Sequence, residues 1–183
     1  MVSLNQTFAP AAVRPPVGAP ASAPVSTAAP LYTAEERAPR DASPWTKVQG
    51  VLAAAQFVVF LVSLALVVRC LLTGDGAAAA NISVVVKTLT LYTIMVTGAI
   101  WERDVFGQYL FARPFFWEDV VSMGVIALHT AYVVLLLRGS PTSTLMLVAL
   151  VAYAAYAVNA GQFVWKLRRA RADRSAEHQA EHQ

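Results

Sequence analysis

Residues 51–72 read VLAAAQFVVFLVSLALVVRCLL, with Arg69 as the charged exception near the end of the run. An apolar stretch of about 20 residues is long enough to cross the hydrocarbon core of a bilayer as an α-helix. Inside lipid the backbone must satisfy its own hydrogen bonds, which excludes an unpaired strand. The run therefore predicts a transmembrane helix.

Three further runs of this kind, at 82–101, 120–137 and 145–165, follow along the chain. Hydrophobic residues make up 57% of the sequence and charged residues 14%, whereas soluble domains are typically about 45–50% apolar and 25% charged. We predict an all-α membrane protein with four transmembrane helices. The expected boundary signals are Ser43-Pro44 at the first start, Gly74 and Gly76 at its end, Pro114 before the third helix and Ser140-Pro141 at the fourth.

Basic residues near the helix ends predict the orientation of the chain in the membrane. One side carries Arg14, Arg37, Arg40, Lys47, Arg103, Arg113, Lys166, Arg168, Arg169, Arg171 and Arg174, and the other carries Arg69 and Arg138. We therefore expect both termini in the cytoplasm. The net charge of +3 is explained by these flanking residues, so no nucleic-acid partner is expected.

The two ends of the chain differ in composition from the apolar runs. Residues 1–30 are rich in Ala and Pro and predict a disordered tail. Residues 31–169 form the predicted transmembrane domain, and 170–183 a charged, flexible tail. Thr33 and Glu36 match a capping box, so a short helix is expected there, limited by Pro39.

Five ionisable residues lie in or beside the apolar runs: Lys87, Glu102, Glu118, Asp119 and His129. Such groups cost roughly 2.5–3.5 kcal/mol each at the centre of a membrane helix on insertion scales, so they commonly mark function. Simpler interpretations remain open. Glu118 and Asp119 are also what a helix dipole favours in a first turn, Glu102 has Arg103 and Arg113 nearby, and Lys87 is near enough to the outer surface to snorkel.

The predicted topology converts these positions into depth. Glu102, Glu118 and Asp119 fall at the cytoplasmic end of the bundle, with Gln49, Asn159 and Gln162 at a similar level. On the third helix, Glu118, Ser122, Val125, His129 and Tyr132 fall in one stripe. Glu118 and His129 are roughly 16 Å apart along the axis, so together they are suited to the two ends of one large flat ligand.

The sequence contains no P-loop, dinucleotide fingerprint, nucleophile elbow or zinc-ligand spacing. The buried acidic side chains therefore remain as the candidates for catalytic groups. A carboxyl group removed from water keeps its proton to higher pH and serves as a proton donor, and two acids in different surroundings divide the acid and base roles. The pattern favours proton transfer, addition or elimination on a lipophilic substrate, with a transporter or an assembly subunit as alternatives.

Several stretches resemble the 3-vinyl bacteriochlorophyllide hydratase family, called 2-vinyl under the older ring numbering. They are PLYTAEER at 30–37, RDASPWTKVQG at 40–50, VVKTL at 85–89, WER at 101–103, VFG at 105–107 and FFWEDV at 115–120. The resemblance covers about residues 30–171. It implies a lyase in the inner (intracytoplasmic) membrane of anoxygenic phototrophic bacteria that hydrates the C3 vinyl group of a chlorophyllide or bacteriochlorophyllide to a 3-(1-hydroxyethyl) group, on the route to bacteriochlorophyll a.

With that reaction, we expect Glu118 or Glu102 to be the acid and Asp119 the base or the group that orients water. His129 is expected to ligate the substrate magnesium or relay a proton, and Lys87 or the cytoplasmic arginines to hold the free propionate. The remaining substrate-binding candidates are Trp117 and Gln162.

The reaction is redox-neutral, so no cofactor beyond the magnesium that the substrate carries is expected. The expected partners are the pigment substrate, water and the lipid bilayer, and contacts with other pigment-biosynthesis enzymes are compatible with the family. The alternative function is a non-catalytic pigment-binding or assembly subunit of the photosynthetic membrane.

Overall fold

The structure is a computed structural model that describes Tyr32 and residues 34–181. Within these residues the chain is helical and contains no strand. The elements are α1 (Ala34–Ala42), α2 (Pro44–Thr73), α3 (Ala77–Phe106), α4 (Phe116–Leu137) and α5 (Thr142–Glu181). The predicted tail 1–30 and Thr33 as a helix cap lie outside the described residues.

Four helices, α2 to α5, are long and apolar enough to cross a membrane. The all-α class and the four predicted spans are therefore confirmed, and the chain has the build of a multi-pass membrane protein. Each helix includes a predicted apolar run, and most continue beyond it at both ends. The extension is largest in α5, which runs to Glu181 and so covers most of the segment predicted as a charged tail.

The helix boundaries follow the local sequence with two corrections. Ser43 is the N-cap of α2 and Pro44 its first residue, as predicted. Gly74 ends α2 in a left-handed conformation, with φ 78°, but Gly76 is the N-cap of α3 and does not belong to the end of α2. Pro39 lies inside α1 and does not end the helix, which continues to Ala42. The proline removes one backbone hydrogen-bond donor, and α1 forms despite that cost.

The four long helices form an up-and-down bundle. Helix α2 packs mainly against α3 and α4 mainly against α5, and contacts of α2 with α5 and of α3 with α4 close the ring. The connections α2–α3 and α4–α5 are short, whereas residues 107–115 form a longer loop between α3 and α4. Short connections favour antiparallel neighbours, so the end of α3 and the start of α4 lie at one end of the bundle.

Polar side chains join helices inside the bundle. Ser63 Oγ on α2 lies 2.6 Å from both Ser83 Oγ on α3 and the Tyr153 hydroxyl on α5. Tyr132 on α4 donates to Asn81 Oδ1 on α3 at 2.7 Å. In a membrane the hydrophobic driving force between helices is weak, so side-chain packing and interhelical hydrogen bonds of this kind contribute to helix association.

The outer surface of the bundle is apolar, as lipid contact requires. Exposed side chains on it include Val51, Phe57, Val58, Leu61, Val62, Leu72, Ile82, Leu89, Val96, Leu147, Val151 and Val158. The polar and charged side chains in the spans are concentrated in the interior, and their arrangement there defines the candidate site.

Candidate functional site

Three buried carboxylic acids meet where α3 ends and α4 begins. Glu102 is near the C-terminus of α3, and Glu118 and Asp119 are in the first turn of α4. We call this group of Glu102, Glu118 and Asp119 the acidic end. The predicted convergence of these residues on one end of the bundle is confirmed by their positions.

Glu102 and Asp119 form a carboxyl pair. Glu102 is 4% exposed and Asp119 is 6% exposed. Their two carboxyl groups lie within hydrogen-bonding range of each other. Two carboxylates this close in apolar surroundings repel each other, and one proton between them removes the repulsion and makes a hydrogen bond. The pair is therefore a natural place to hold a transferable proton.

The loop between α3 and α4 is tied to the same two carboxyl groups. The backbone N–H of Phe111 donates to Asp119 Oδ2 at 2.7 Å, and that of Ala112 donates to Glu102 Oε2 at 3.1 Å. Phe111 has φ 61°, a left-handed conformation that costs free energy for a residue with a bulky side chain. The acids thus hold the loop in place, and Glu102 is not a surface partner of Arg103 or Arg113.

Glu118 has a different partner from the carboxyl pair. Its Oε2 accepts from Lys166 Nζ of α5 at 2.7 Å. The same ammonium donates to the carbonyl oxygen of Pro114 and lies 4.8 Å from the centroid of the Phe115 ring. Glu118 is therefore a carboxylate whose charge is compensated inside the protein, and its geometry suits anchoring α5 to the loop better than donating a proton.

A second polar group lies in the middle of the bundle and consists of Gln56, Lys87, His129, Tyr153 and Tyr156, which we call the lysine cluster. Lys87 is fully buried. Its Nζ donates to Gln56 Oε1 and lies 3.4 Å from the centroid of the Tyr156 ring. The ammonium therefore points into the bundle and does not snorkel to the surface.

His129 is fully buried in the same cluster. Its Nδ1 lies 2.8 Å from the carbonyl oxygen of Val125, so this nitrogen carries the hydrogen and donates it. Its Nε2 has no hydrogen-bond partner in the described part of the chain, and its ring lies 5.9 Å from that of Tyr153. A buried Nε2 with a free lone pair suits a metal carried by a ligand, or a proton acceptor.

Between the two groups, the α4–α5 seam contains further polar atoms. Asn159 Nδ2 donates to Ser122 Oγ at 2.8 Å. Asn159 Oδ1 and Gln162 Oε1 are buried and without a partner among the described residues. Buried acceptors of this kind are commonly satisfied by internal water.

The sequence candidates do not all converge. Trp117 is 70% exposed and lies on the outer surface of α4, and Trp165 is similarly exposed on α5. Both positions fit aromatic residues at a membrane–water interface. Trp117 therefore lies away from the carboxyl pair, although it is at the start of the same helix, α4, as Asp119.

Two contributors were not selected from the sequence as site residues. Gln56 had a signal, because it is an isolated amide in an otherwise apolar run. Lys166 had none, because it is one of several basic residues at the end of the last run, and only its contact with Glu118 distinguishes it. The described residues contain no group of three or more His, Cys, Asp or Glu side chains that could hold a metal ion.

Comparison with known proteins identifies the family. The family model for 2-vinyl bacteriochlorophyllide hydratase matches residues 32–169. A 2-vinyl bacteriochlorophyllide hydratase from Rhodobacter capsulatus is 65% identical over 147 residues, which cover 80% of this chain and 86% of that protein. One from Cereibacter sphaeroides is 63% identical over 156 residues, covering 84% of this chain and 98% of that protein. The chain belongs to the 2-vinyl bacteriochlorophyllide hydratase family.

The family match includes all residues of the acidic end, the lysine cluster and the seam between them. It begins at the residue that opens the described structure and ends within α5, before the last charged part of that helix. No solved structure matches the chain. For this hydratase family member, the arrangement of the buried groups therefore comes from the present structure alone.

Proposed function

We propose that this protein adds water across the vinyl group at C3 (position 2 in the older numbering) of a chlorophyllide or bacteriochlorophyllide. In this proposal it is a hydro-lyase of bacteriochlorophyll biosynthesis. The observation that carries the proposal is the 63–65% identity to two proteins named for that reaction, over at least 80% of this chain. The membrane-spanning architecture supports it, because the substrate is a large apolar pigment.

The chemistry of the reaction defines what the protein has to supply. Protonation of the terminal vinyl carbon breaks the π bond and forms a C–H bond, and the cation is left on the carbon attached to the macrocycle, where the ring stabilises it. Water then forms the C–O bond and loses a proton, so one molecule of water is added overall. A positioned acid, a base that orients water and surroundings that exclude bulk solvent are needed.

The carboxyl pair has the features of that acid and base. Glu102 and Asp119 are buried, adjacent and contributed by different helices. In the proposed mechanism Glu102 donates the proton and Asp119 orients the water and receives its proton, after which the shared proton is restored. The ion pair with Lys166 favours a positioning role for Glu118 over the alternative in which Glu118 is the acid.

The other candidates have supporting roles in this proposal. His129 Nε2 is available to the magnesium of the substrate or to a proton. Gln162 Oε1 is available to accept a hydrogen bond from the water that enters the site. Trp117, on the outer surface, would contact a pigment as it approaches from the lipid. No nicotinamide or flavin is required, because hydration changes no oxidation state overall.

The location of the protein is part of the proposal. The basic flanks favour an inner, intracytoplasmic bacterial membrane with both termini in the cytoplasm. In that orientation the acidic end and its loop face the cytoplasm, where water is available to the site.

The test is direct hydration by the purified protein. The protein in lipid nanodiscs is mixed with a vinyl bacteriochlorophyllide, and the pigment is followed by absorption and mass spectrometry, with and without water labelled with heavy oxygen. A blue-shifted band and the mass gain of one labelled water support the proposal. Tight pigment binding with no mass gain would overturn it and leave the non-catalytic pigment-binding function.

A further inference from the structure

Lys87 is a buried basic side chain that has no acidic partner among the described residues. Its Nζ contacts the Gln56 amide oxygen and the face of the Tyr156 ring. Among the described residues, Lys166 is paired with Glu118, and Lys87 takes part in no such ion pair. The two lysines of the bundle interior therefore differ, because Lys166 has a carboxylate and Lys87 has none.

The two contacts of Lys87 Nζ do not fully satisfy an ammonium group. An ammonium has three hydrogens to donate, and removal from water is costly unless the charge is paired. The aromatic face and one amide oxygen compensate only part of that cost. Inside a membrane span, a cation in this state is suited to an anion that arrives from outside the protein.

Gln56 adds a second donor beside the ammonium. Gln56 Oε1 accepts from Lys87, so the amide nitrogen is directed away from that bond, and this Nε2 is buried without a partner among the described residues. An ammonium and an amide N–H side by side are the donors that a carboxylate accepts, with one oxygen for each. The two side chains thus form a half-built carboxylate site in the middle of the bundle.

The distance between the lysine cluster and the acidic end indicates how long a ligand must be to contact both. His129 belongs to the lysine cluster and Asp119 to the carboxyl pair, and they are ten residues apart on α4, or about 15 Å along its axis. A small carboxylic acid bound at Lys87 does not extend from there to the carboxyl pair. A flat macrocycle with a carboxylate on a flexible arm is extended enough to address both groups.

We propose that Lys87 and Gln56 bind the free carboxylate of the tetrapyrrole substrate, so that the protein selects the free acid over its ester. The inference rests on the proposed function for the identity of the ligand. It assigns the carboxylate to the middle of the bundle and not to the cytoplasmic arginines, and it adds Gln56 to the site.

The experiment compares a vinyl bacteriochlorophyllide with its methyl ester. We expect the wild-type protein to show roughly tenfold to hundredfold higher kcat/KM for the free acid, the factor that a hydrogen bond to a charged group supplies. Lys87→Met is expected to bring the ratio close to one, mainly by lowering activity on the acid. The matched control Lys47→Met, at an exposed position of α2, is expected to keep the wild-type ratio.

A second variant tests the same site by competition. Gln56→Glu places a carboxylate on the Lys87 ammonium, and this internal partner is expected to reduce the preference for the free acid as Lys87→Met does. Binding of both pigments to each variant is measured by quenching of tryptophan fluorescence, so that the acid-to-ester ratio is obtained independently of turnover.

The two failures are distinguishable. The carboxylate site is overturned if the wild-type protein shows equal kcat/KM for acid and ester. It is also overturned if the acid-to-ester ratio is unchanged in both Lys87→Met and Gln56→Glu. In either case, hydration of the pigment would still support the proposed function. If neither pigment is hydrated, the proposed function fails, and the binding ratios alone decide whether the carboxylate site stands.

Discussion

Glu102 at the end of α3 and Asp119 at the start of α4 place their carboxyl groups within hydrogen-bonding range of each other. Each of them also accepts a backbone N–H from the connecting loop. The same two side chains thus close the α3–α4 connection and form the carboxyl pair to which the proposed mechanism assigns the acid and the base.

Replacing one member of the carboxyl pair tests its role in catalysis. Glu102→Gln and Asp119→Asn keep the size of each side chain and remove the transferable proton or the base. We expect kcat to fall by roughly 10²- to 10⁴-fold in each, the usual contribution of general acid–base catalysis. The measurement is the initial rate of hydration at saturating pigment.

Asp104→Asn is the matched control, because Asp104 is an exposed acid two residues from Glu102. The rate of Asp104→Asn is expected to stay within about twofold of wild type, because asparagine can still accept the hydrogen bond that Ser43 donates to Asp104 and both carboxyl groups of the pair remain. Near-wild-type rates in both Glu102→Gln and Asp119→Asn would exclude the pair as the acid and base.

Glu118 and Lys166 are predicted to act on stability more than on chemistry. Breaking their partly buried contact with Glu118→Gln or Lys166→Met is expected to cost about 1.5–3 kcal/mol of unfolding free energy, as for hydrogen bonds to charged groups. Because the two residues are in contact, the double variant should lose less than the sum of the single losses. Denaturant unfolding in detergent, together with the hydration rate, measures both effects.

An additive double variant would show that the two residues do not interact in the folded protein. A rate loss in Glu118→Gln as large as that of Glu102→Gln, with unfolding unchanged, would instead identify Glu118 as the acid.

His129 is predicted to distinguish pigments with and without magnesium. If its Nε2 ligates the substrate magnesium, wild-type protein should bind the magnesium pigment more tightly than the demetallated one. His129→Phe, which fills the same buried space with an apolar ring, should remove the difference. The measurement is the ratio of the two dissociation constants by fluorescence quenching. Equal affinities of wild type for the two pigments would exclude magnesium ligation and leave His129 as a proton relay or as a packing residue hydrogen-bonded to Val125.

The orientation of the chain is open to chemical labelling. In a Cys70→Ala background, a cysteine introduced at Asp75, between α2 and α3, should react with a membrane-impermeant maleimide added to spheroplasts. A cysteine at Gln179 should react only after the cells are opened, because the basic flanks predict a cytoplasmic C-terminus. The reverse pattern would place the acidic end on the outer side and contradict the proposed water supply.

The sequence was sufficient for the number of spans and for the acidic end. Apolar runs separated by glycine and proline determine four helices, and an up-and-down chain must bring the end of α3 to the start of α4. The ends of the helices were less predictable, because charged residues that favour helix continue α5 far beyond its apolar run to Glu181.

Side-chain partners required the structure. Glu118 and Asp119 are neighbours in sequence, and a rotation of about 100° between them sends one to Lys166 and the other to Glu102. Their separate roles depend on how α4 is turned against α3 and α5. Likewise, the contact of Lys87 with Gln56 depends on the register of α2 and α3, which no local pattern specifies.

The connections of the bundle are strongly asymmetric in size. At one end the chain turns within a few residues after Thr73 and again after Leu137, while the other end carries α1, the 107–115 loop and the extension of α5. A partner that contacts the protein outside the spans would therefore meet most of the available surface on a single face of the membrane.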